Sequence, residues 1–123
     1  MFKPVRVEKP WGFELIWAHT DIYVGKVLHI NAGQRLSMQY HNLKDETIHL
    51  QTGKLRFEIE ENGVMLIKDL APGESYHIKP KTKHRMVAIE TCDILEASTP
   101  QLDDVVRLDD VYGRVSQPGP VKH

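Results

Sequence analysis

The chain has 123 residues, a formal net charge of -1, 41% hydrophobic residues and 27% charged residues. This is the size of one ordinary globular domain, and so small a net charge offers no field that attracts nucleic acid or a membrane surface. The single cysteine, Cys92, excludes an internal disulfide, and no stretch reaches the roughly 20 apolar residues that span a bilayer. We therefore expect a cytoplasmic protein whose partner is a small molecule.

Glycine and proline recur at short intervals along the chain, and they leave segments that are too short for typical helices. Strands are predicted at residues 13–17, 22–30, 35–41, 47–51, 54–60, 64–68, 76–79, 84–89 and 94–98. This many short strands in one domain predicts an all-β sandwich or barrel.

The clearest predicted strand is 54–60, where Leu55, Phe57 and Ile59 alternate with charged residues. An Asn-Gly turn at residues 62–63 predicts a hairpin with the returning strand 64–68.

The end of the chain carries weaker signals. Residues 102–112 contain four aspartates and are expected to form a short helix or turn. Residues 116–123, with two prolines and a glycine, are expected to be a flexible tail, so the folded domain is predicted to span residues 1–115.

Four polar side chains form a candidate metal site. Strand alternation places Gln39 and His41 on the same face, and a short polar loop returns the chain so that Glu46 opens the next strand nearby. His84 starts a later strand. Two imidazoles, a carboxylate and an amide oxygen that converge inside a barrel would give a divalent ion four ligands. The remaining histidines of the strands, His29, His49 and His77, are expected to be packed or surface residues.

The spacing of these residues resembles the signature of the cupin superfamily, which implies a double-stranded β-helix, or jelly-roll, barrel. The first cupin motif is matched by Gly33, Gln39, His41, Glu46 and Gly53. The second motif is matched by Gly73 and His84, whereas Lys79 and Lys81 stand where the motif has proline and glycine.

Within the cupins, the chain resembles the type II phosphomannose isomerase domain. The matching segments are residues 9–12, 33–41, 82–85, 103–107 and 112–114. In that family glutamine replaces the first histidine of the motif, so the resemblance implies that Gln39 is a ligand. The chain departs from the family pattern after the ligand pair, where Leu43, Lys44, Thr47 and Ile48 replace histidine, arginine, histidine and tryptophan.

The resemblance implies a metal-dependent isomerase that converts mannose 6-phosphate to fructose 6-phosphate through an enediolate. Such a reaction needs a base that carries a proton between C1 and C2, and Glu96 is the candidate because the family strand also carries glutamate there. Lys26, inside an apolar strand, is the second catalytic candidate, since a buried lysine requires an anionic partner. The candidate phosphate ligands are Arg85, Arg107 and Arg114.

Several alternatives stay open at this point. Zinc is the first choice for the ion, but the mixed ligands also accept manganese, iron, cobalt or nickel. His41, Glu46 and His84 alone would suit the iron of a cupin dioxygenase, and a non-catalytic sugar-binding module is the third possibility. Alternation also predicts that Leu36, Met38 and Tyr40 point away from the metal and need a cover, which favours a homodimer.

Overall fold

The computed structural model describes residues 1–115 and shows nine strands and no helix within that range. The strands are β1 (Val5–Lys9), β2 (Gly12–His19), β3 (Val24–Ile30), β4 (Met38–Tyr40), β5 (Glu46–Glu61), β6 (Val64–Leu70), β7 (Ser75–Ile78), β8 (His84–Ser98) and β9 (Val106–Asp109). Consequently no membrane-spanning helix occurs in the described part of the chain. The predicted tail, residues 116–123, lies outside the described residues.

Two long antiparallel strands, β5 and β8, run through the whole molecule, from the pair Glu46↔Ser98 to the pair Ile59↔His84. The carboxyl-terminal half of β8 also pairs with β3, and the sheet continues from there to β2 and β1. The amino-terminal end of β8 pairs with β4, which in turn pairs with β9. The result is a single curled sheet that encloses the core, which confirms the predicted all-β barrel.

The curl depends on irregular pairing between β5 and β8, where the register shifts three times between Leu50 and Leu55. Gly53 lies in this bulge with φ +97°, and a Cβ atom there would lie 2.2 Å from the main-chain oxygen of Thr91. Only glycine fits, because both the backbone angle and the space exclude a side chain. A glycine here marks a bend inside a strand.

The core confirms the alternation predicted for residues 54–60. Leu55, Phe57 and Ile59 are fully buried, and each contributes roughly 1.5 to 3 kcal/mol through burial of apolar surface. They pack with residues of the facing strands, among them Ile30 and Ile94. Cys92 is also fully buried, and burial raises the pKa of its thiol, as expected for a small hydrophobic side chain.

Two pairs of predicted strands are in fact continuous. Segments 47–51 and 54–60 form the single strand β5, and 84–89 with 94–98 form β8. The apparent breaks are bulges. The segment 102–112 has turns at residues 102–103 and 111–112, as predicted, but no helix. The strand β9 between these turns was missed, and its hydrogen-bonding partners lie on β4.

The predicted outer face of the first motif needs a correction. Only Met38–Tyr40 form a strand here, and Arg35 makes an isolated bridge to Val87. Strict alternation therefore does not extend back to Leu36, which is buried in the core and lines the central cavity. Met38 and Tyr40 are half-buried. The homodimer stays a prediction, and less exposed apolar surface supports it than the sequence indicated.

Candidate metal centre

Three of the four predicted ligands meet inside the barrel. His41 follows β4, Glu46 opens β5 and His84 opens β8, and all three side chains are buried. One donor atom from each lies within 4.8 Å of the others. Ligand atoms around one small divalent ion at about 2.1 Å are separated by roughly 3 to 4 Å, so the cluster needs only a small contraction to hold an ion.

Both imidazoles are oriented by main-chain carbonyl groups. His41 Nδ1 lies 2.5 Å from the oxygen of Asp104, and His84 Nδ1 lies 2.9 Å from the oxygen of Thr82. Because a carbonyl oxygen can only accept, each Nδ1 carries a proton, and each Nε2 presents a lone pair to the centre when its ring is neutral, or an N–H group when the ring is protonated.

The atoms that face the centre lack hydrogen bonds. His41 Nε2, His84 Nε2 and Glu46 Oε2 are buried and have no hydrogen-bond partner among the described residues, although His41 Nε2 and Glu46 Oε2 are 2.9 Å apart. Buried polar atoms without partners are costly, and a cation would compensate all three at once. The donor set therefore fits a divalent metal ion.

The protonation states also suit an ion. Burial opposes the charge of Glu46, but contact with His41 and the nearby Lys44 amine together hold its pKa well below the ordinary range. Burial lowers the pKa of His84. A charged carboxylate and a neutral imidazole are the forms that bind metal.

Gln39 is placed close to this cluster. It pairs in register with His84, and its side chain lines the same cavity as His41 and Glu46. Its Oε1 accepts a hydrogen bond from Ser37 Oγ at 2.7 Å, which fixes the amide and leaves a second lone pair. The role of Gln39 as a fourth ligand stays a prediction.

A buried cluster of charges lies beside the three ligands. Lys44 Nζ is 3.0 Å from Glu96 Oε2 and 3.9 Å from Glu46 Oε2. Lys26 Nζ is 3.7 Å from Glu96 Oε2 and 3.1 Å from Glu14 Oε1. Burial, followed by the negative charge of Glu46, raises the pKa of Glu96. The two predicted catalytic residues, Lys26 and Glu96, thus lie together next to the candidate metal ligands.

Two members of this cluster were not predicted as site residues. In the sequence, Lys44 was noted only because it replaces an arginine of the phosphomannose isomerase pattern. It lies in a polar loop, where a lysine is usually exposed. Glu14 lies on β2 and reaches Lys26 on β3, with Ile16 as the Cα partner of Lys26. The sequence signal for Glu14 was a charged residue within the apolar strand β2. It could be recognised as a partner of Lys26 only with the register between β2 and β3.

These groups line a cavity of about 290 Å³. Its walls combine apolar side chains with the charged cluster and with Arg107 and Arg114. Arg114 makes an ion pair with Asp110 at 2.8 Å, and burial, followed by the positive charge of Arg114, lowers the pKa of Arg107. Two neighbouring guanidinium groups in a cavity form a candidate anion site.

The third predicted arginine is placed differently. Arg85 makes ion pairs with Glu58 at 3.1 Å and with Asp109 at 3.4 Å, and it is not among the residues that line the cavity. Its neighbour His84 faces the centre, so the alternation of β8 turns Arg85 away. Its phosphate role stays a prediction, and it would require these two ion pairs to open.

The other strand histidines are packed or surface residues, as expected. His29 contacts Asp93 at 2.7 Å, His49 contacts Ser75 at 2.8 Å and His77 contacts Asp45 at 2.6 Å. Within residues 1–115, the three-residue cluster around Glu46 is the single group of histidine, cysteine and acidic side chains close enough to share an ion.

Comparison with solved structures shows the fold. The chain is similar to oxalate decarboxylase from Bacillus subtilis, with a TM-score of 0.75 and 15% identity over 85% of this chain and 30% of that one. It is also similar to KdgF from Halomonas, with a TM-score of 0.66 and 23% identity over 83% and 89% of the two chains. It is similar as well to a protein from Klebsiella pneumoniae with a double-stranded β-helix domain. Here the TM-score is 0.64 and the identity 19%, over 85% of this chain and 84% of that one.

Comparison of sequences shows the family. The alginate biosynthesis protein AlgA from Pseudomonas aeruginosa is 27% identical over 122 residues, which cover 91% of this chain and 24% of that protein. The Pseudomonas putida AlgA protein is 27% identical over 124 residues, which cover 93% of this chain and 24% of that protein. The chain thus spans about a quarter of these relatives. Residues 3–110 match the family described as mannose-6-phosphate isomerase C-terminal, and the chain belongs to this family of cupin domains.

Proposed function

We propose that the chain is a metal-dependent sugar-phosphate isomerase of the mannose-6-phosphate isomerase type. The observation that carries the proposal is that a metal-ligand cluster lies beside the buried carboxylate of Glu96, with His41, Glu46 and Glu96 lining one cavity. His41, Glu46 and His84 supply the ligands, and Glu96 lies next to them through its contact with Lys44. Metal-dependent aldose-ketose isomerisation uses a metal ion and a base side by side.

Gln39, His41, Glu46 and His84 would hold the ion. When bound, it would polarise the oxygen atoms at C1 and C2 of the sugar. Zinc is the first choice, with manganese, iron, cobalt and nickel as alternatives for the same donor set. The relatives with solved structures include a manganese protein, the oxalate decarboxylase of Bacillus subtilis.

Glu96 is the proposed base. Its carboxylate would take the proton from C2 of the open-chain aldose and return the same proton to C1, with an enediolate between the two steps, while the hydroxyl proton of O2 passes to O1. Burial, followed by the charge of Glu46, raises its pKa and so strengthens it as a base, while Lys44 at 3.0 Å and Lys26 at 3.7 Å favour its charged form. Lys26 is proposed to contact the sugar hydroxyl groups as well.

Arg107 and Arg114 are the proposed phosphate ligands, since both line the cavity and their positive charges are close enough to interact. A phosphate dianion between them would relieve that repulsion and receive charge-assisted hydrogen bonds. Arg85, held by Glu58 and Asp109, is the weaker third member of this set.

The direct test is turnover of mannose 6-phosphate. The metal-free protein is supplied in turn with zinc, manganese, cobalt and nickel, and fructose 6-phosphate is followed by NMR. Turnover with at least one metal, and its loss in His84→Ala, supports the proposal. No turnover with any of the metals contradicts it for this substrate. Binding of the sugar phosphate without turnover would favour the non-catalytic sugar-binding module.

A second candidate is a cupin dioxygenase, because the three clustered residues are two histidines and one carboxylate, the set that suits ferrous iron. Oxygen consumption by the iron-loaded protein would favour it over the isomerase.

We also propose that the protein works in the cytoplasm as a homodimer. Light scattering at micromolar concentration tests the dimer, and a monomeric mass would contradict it.

A further inference from the structure

The segment that precedes β9 contacts the loop between two of the metal ligands. Asp104 lies in this segment, and its carboxylate accepts hydrogen bonds from three consecutive main-chain N–H groups. The donors are Asn42 at 3.0 Å, Leu43 at 2.7 Å and Lys44 at 2.9 Å. Since this loop joins His41 to Glu46, one carboxylate holds the chain between two ligands.

The same residue also orients a ligand directly. The main-chain oxygen of Asp104 accepts the hydrogen bond from His41 Nδ1 at 2.5 Å, which aims Nε2 at the centre. Lys44, whose N–H group is held by the Asp104 carboxylate, extends its amine to Glu96 at 3.0 Å. Asp104 is therefore connected to a metal ligand on one side and to the proposed base on the other.

We propose that Asp104 is the positioning residue of the metal centre. Its carboxylate fixes the loop 42–44 in the one conformation that turns His41 and Lys44 toward the cavity. The inference rests on the metal site of the proposed function and is independent of which substrate is used. The residues around Asp104, namely Leu102, Asp103 and Val105, line the cavity, so metal binding and docking of this segment stabilise each other by linkage.

Substitution of Asp104 by alanine removes the carboxylate and keeps the main-chain carbonyl, so it isolates the contribution of the loop. We expect the affinity for Co²⁺, measured by calorimetry, to fall about 10- to 100-fold, which is the usual effect of losing a group that orients a ligand. The visible absorption of bound Co²⁺ should shift as well, because the coordination geometry changes. Asp104→Asn should recover part of both, since its amide oxygen still accepts hydrogen bonds from the loop.

The matched control is Asp69→Ala, which removes a carboxylate that also accepts hydrogen bonds, here from the exposed Arg56. This variant should bind Co²⁺ like the wild type with the same spectrum. Circular dichroism verifies the fold, and if the alanine variant of Asp104 does not fold, the asparagine variant carries the test. Wild-type affinity and an unchanged spectrum in the folded Asp104 variant overturn the role of Asp104 alone. Failure of the wild type to bind Co²⁺ overturns the metal site as well.

Discussion

Replacing Lys44 with methionine removes the cation nearest to two buried carboxylates while it preserves most of the side-chain volume. Lys44 is 5% exposed, and its amine lies 3.0 Å from Glu96 and 3.9 Å from Glu46. Lys26, at 3.7 Å from Glu96, remains as partial compensation. Breaking a buried ion pair from one side costs about 3 to 5 kcal/mol, because the remaining charge is left desolvated. For a domain of this size we expect the melting temperature to fall by about 10 to 20 °C.

The assay is thermal unfolding of the metal-free protein, compared with Lys68→Met as the control. Lys68 pairs with Glu61 at 3.5 Å, but the side chains are 40% and 36% exposed, so water screens this pair far more than the Lys44 pairs and its replacement should have a much smaller effect. If Lys44→Met destabilises the protein no more than Lys68→Met does, the buried charge cluster does not have the energetic role assigned to it.

The stability loss caused by Lys44→Met should also depend on pH, in a direction that follows from the pKa of Glu96. Burial and the charge of Glu46 raise the pKa of Glu96, so its contribution to stability is complete below the ordinary carboxyl pKa and is lost as the pH rises through the raised value. Without Lys44 this loss becomes larger. Glu46 keeps a low pKa and loses the same cation, so a deficit is already expected near pH 4. Because of Glu96, the stability deficit of Lys44→Met relative to wild type should grow from there toward neutral pH, and a deficit that shrinks over this range would refute the reasoning.

Three further variants test other parts of the account. Glu96→Gln should lower kcat about 10²- to 10⁴-fold with unchanged metal content, whereas near-normal kcat would exclude Glu96 as the base. Arg107→Met should raise KM for a sugar phosphate and leave the affinity for the unphosphorylated sugar unchanged; an equal loss for both would argue against a phosphate ligand. Gly53→Ala should destabilise the fold by at least about 1 kcal/mol more than Gly63→Ala in chemical denaturation, because both glycines have positive φ but only the Cβ of residue 53 meets main-chain atoms. Equal losses would mean that the bulge absorbs the methyl group.

Local pattern was enough to predict the parts of the site that depend on alternation. Gln39 lies on β4 and His41 follows that strand directly, two residues later, while His84 opens β8 after a turn, so the period of a strand was enough to predict that these side chains lie on one side. The burial of Leu55, Phe57 and Ile59 follows in the same way.

The features that were missed depend on pairing between distant segments. Gly53 is typical of a turn, and its place inside the long strand β5 becomes visible only through the register with β8. Asp104 is one of several aspartates that predict a turn, yet its partners lie about 60 residues earlier in the chain. Lys44 is buried only because Glu46 and Glu96 are brought next to it.

The most direct test of the central claim is a calorimetric titration of the metal-free protein with Zn²⁺, Mn²⁺ and Co²⁺, repeated with His84→Ala. The account predicts binding of one ion per chain for at least one of these metals, and a loss of that binding in the variant, because His84 Nε2 is one of the three buried atoms that face the centre. Absence of binding by the wild type, or equal binding by His84→Ala, would contradict the claim that these residues share one ion.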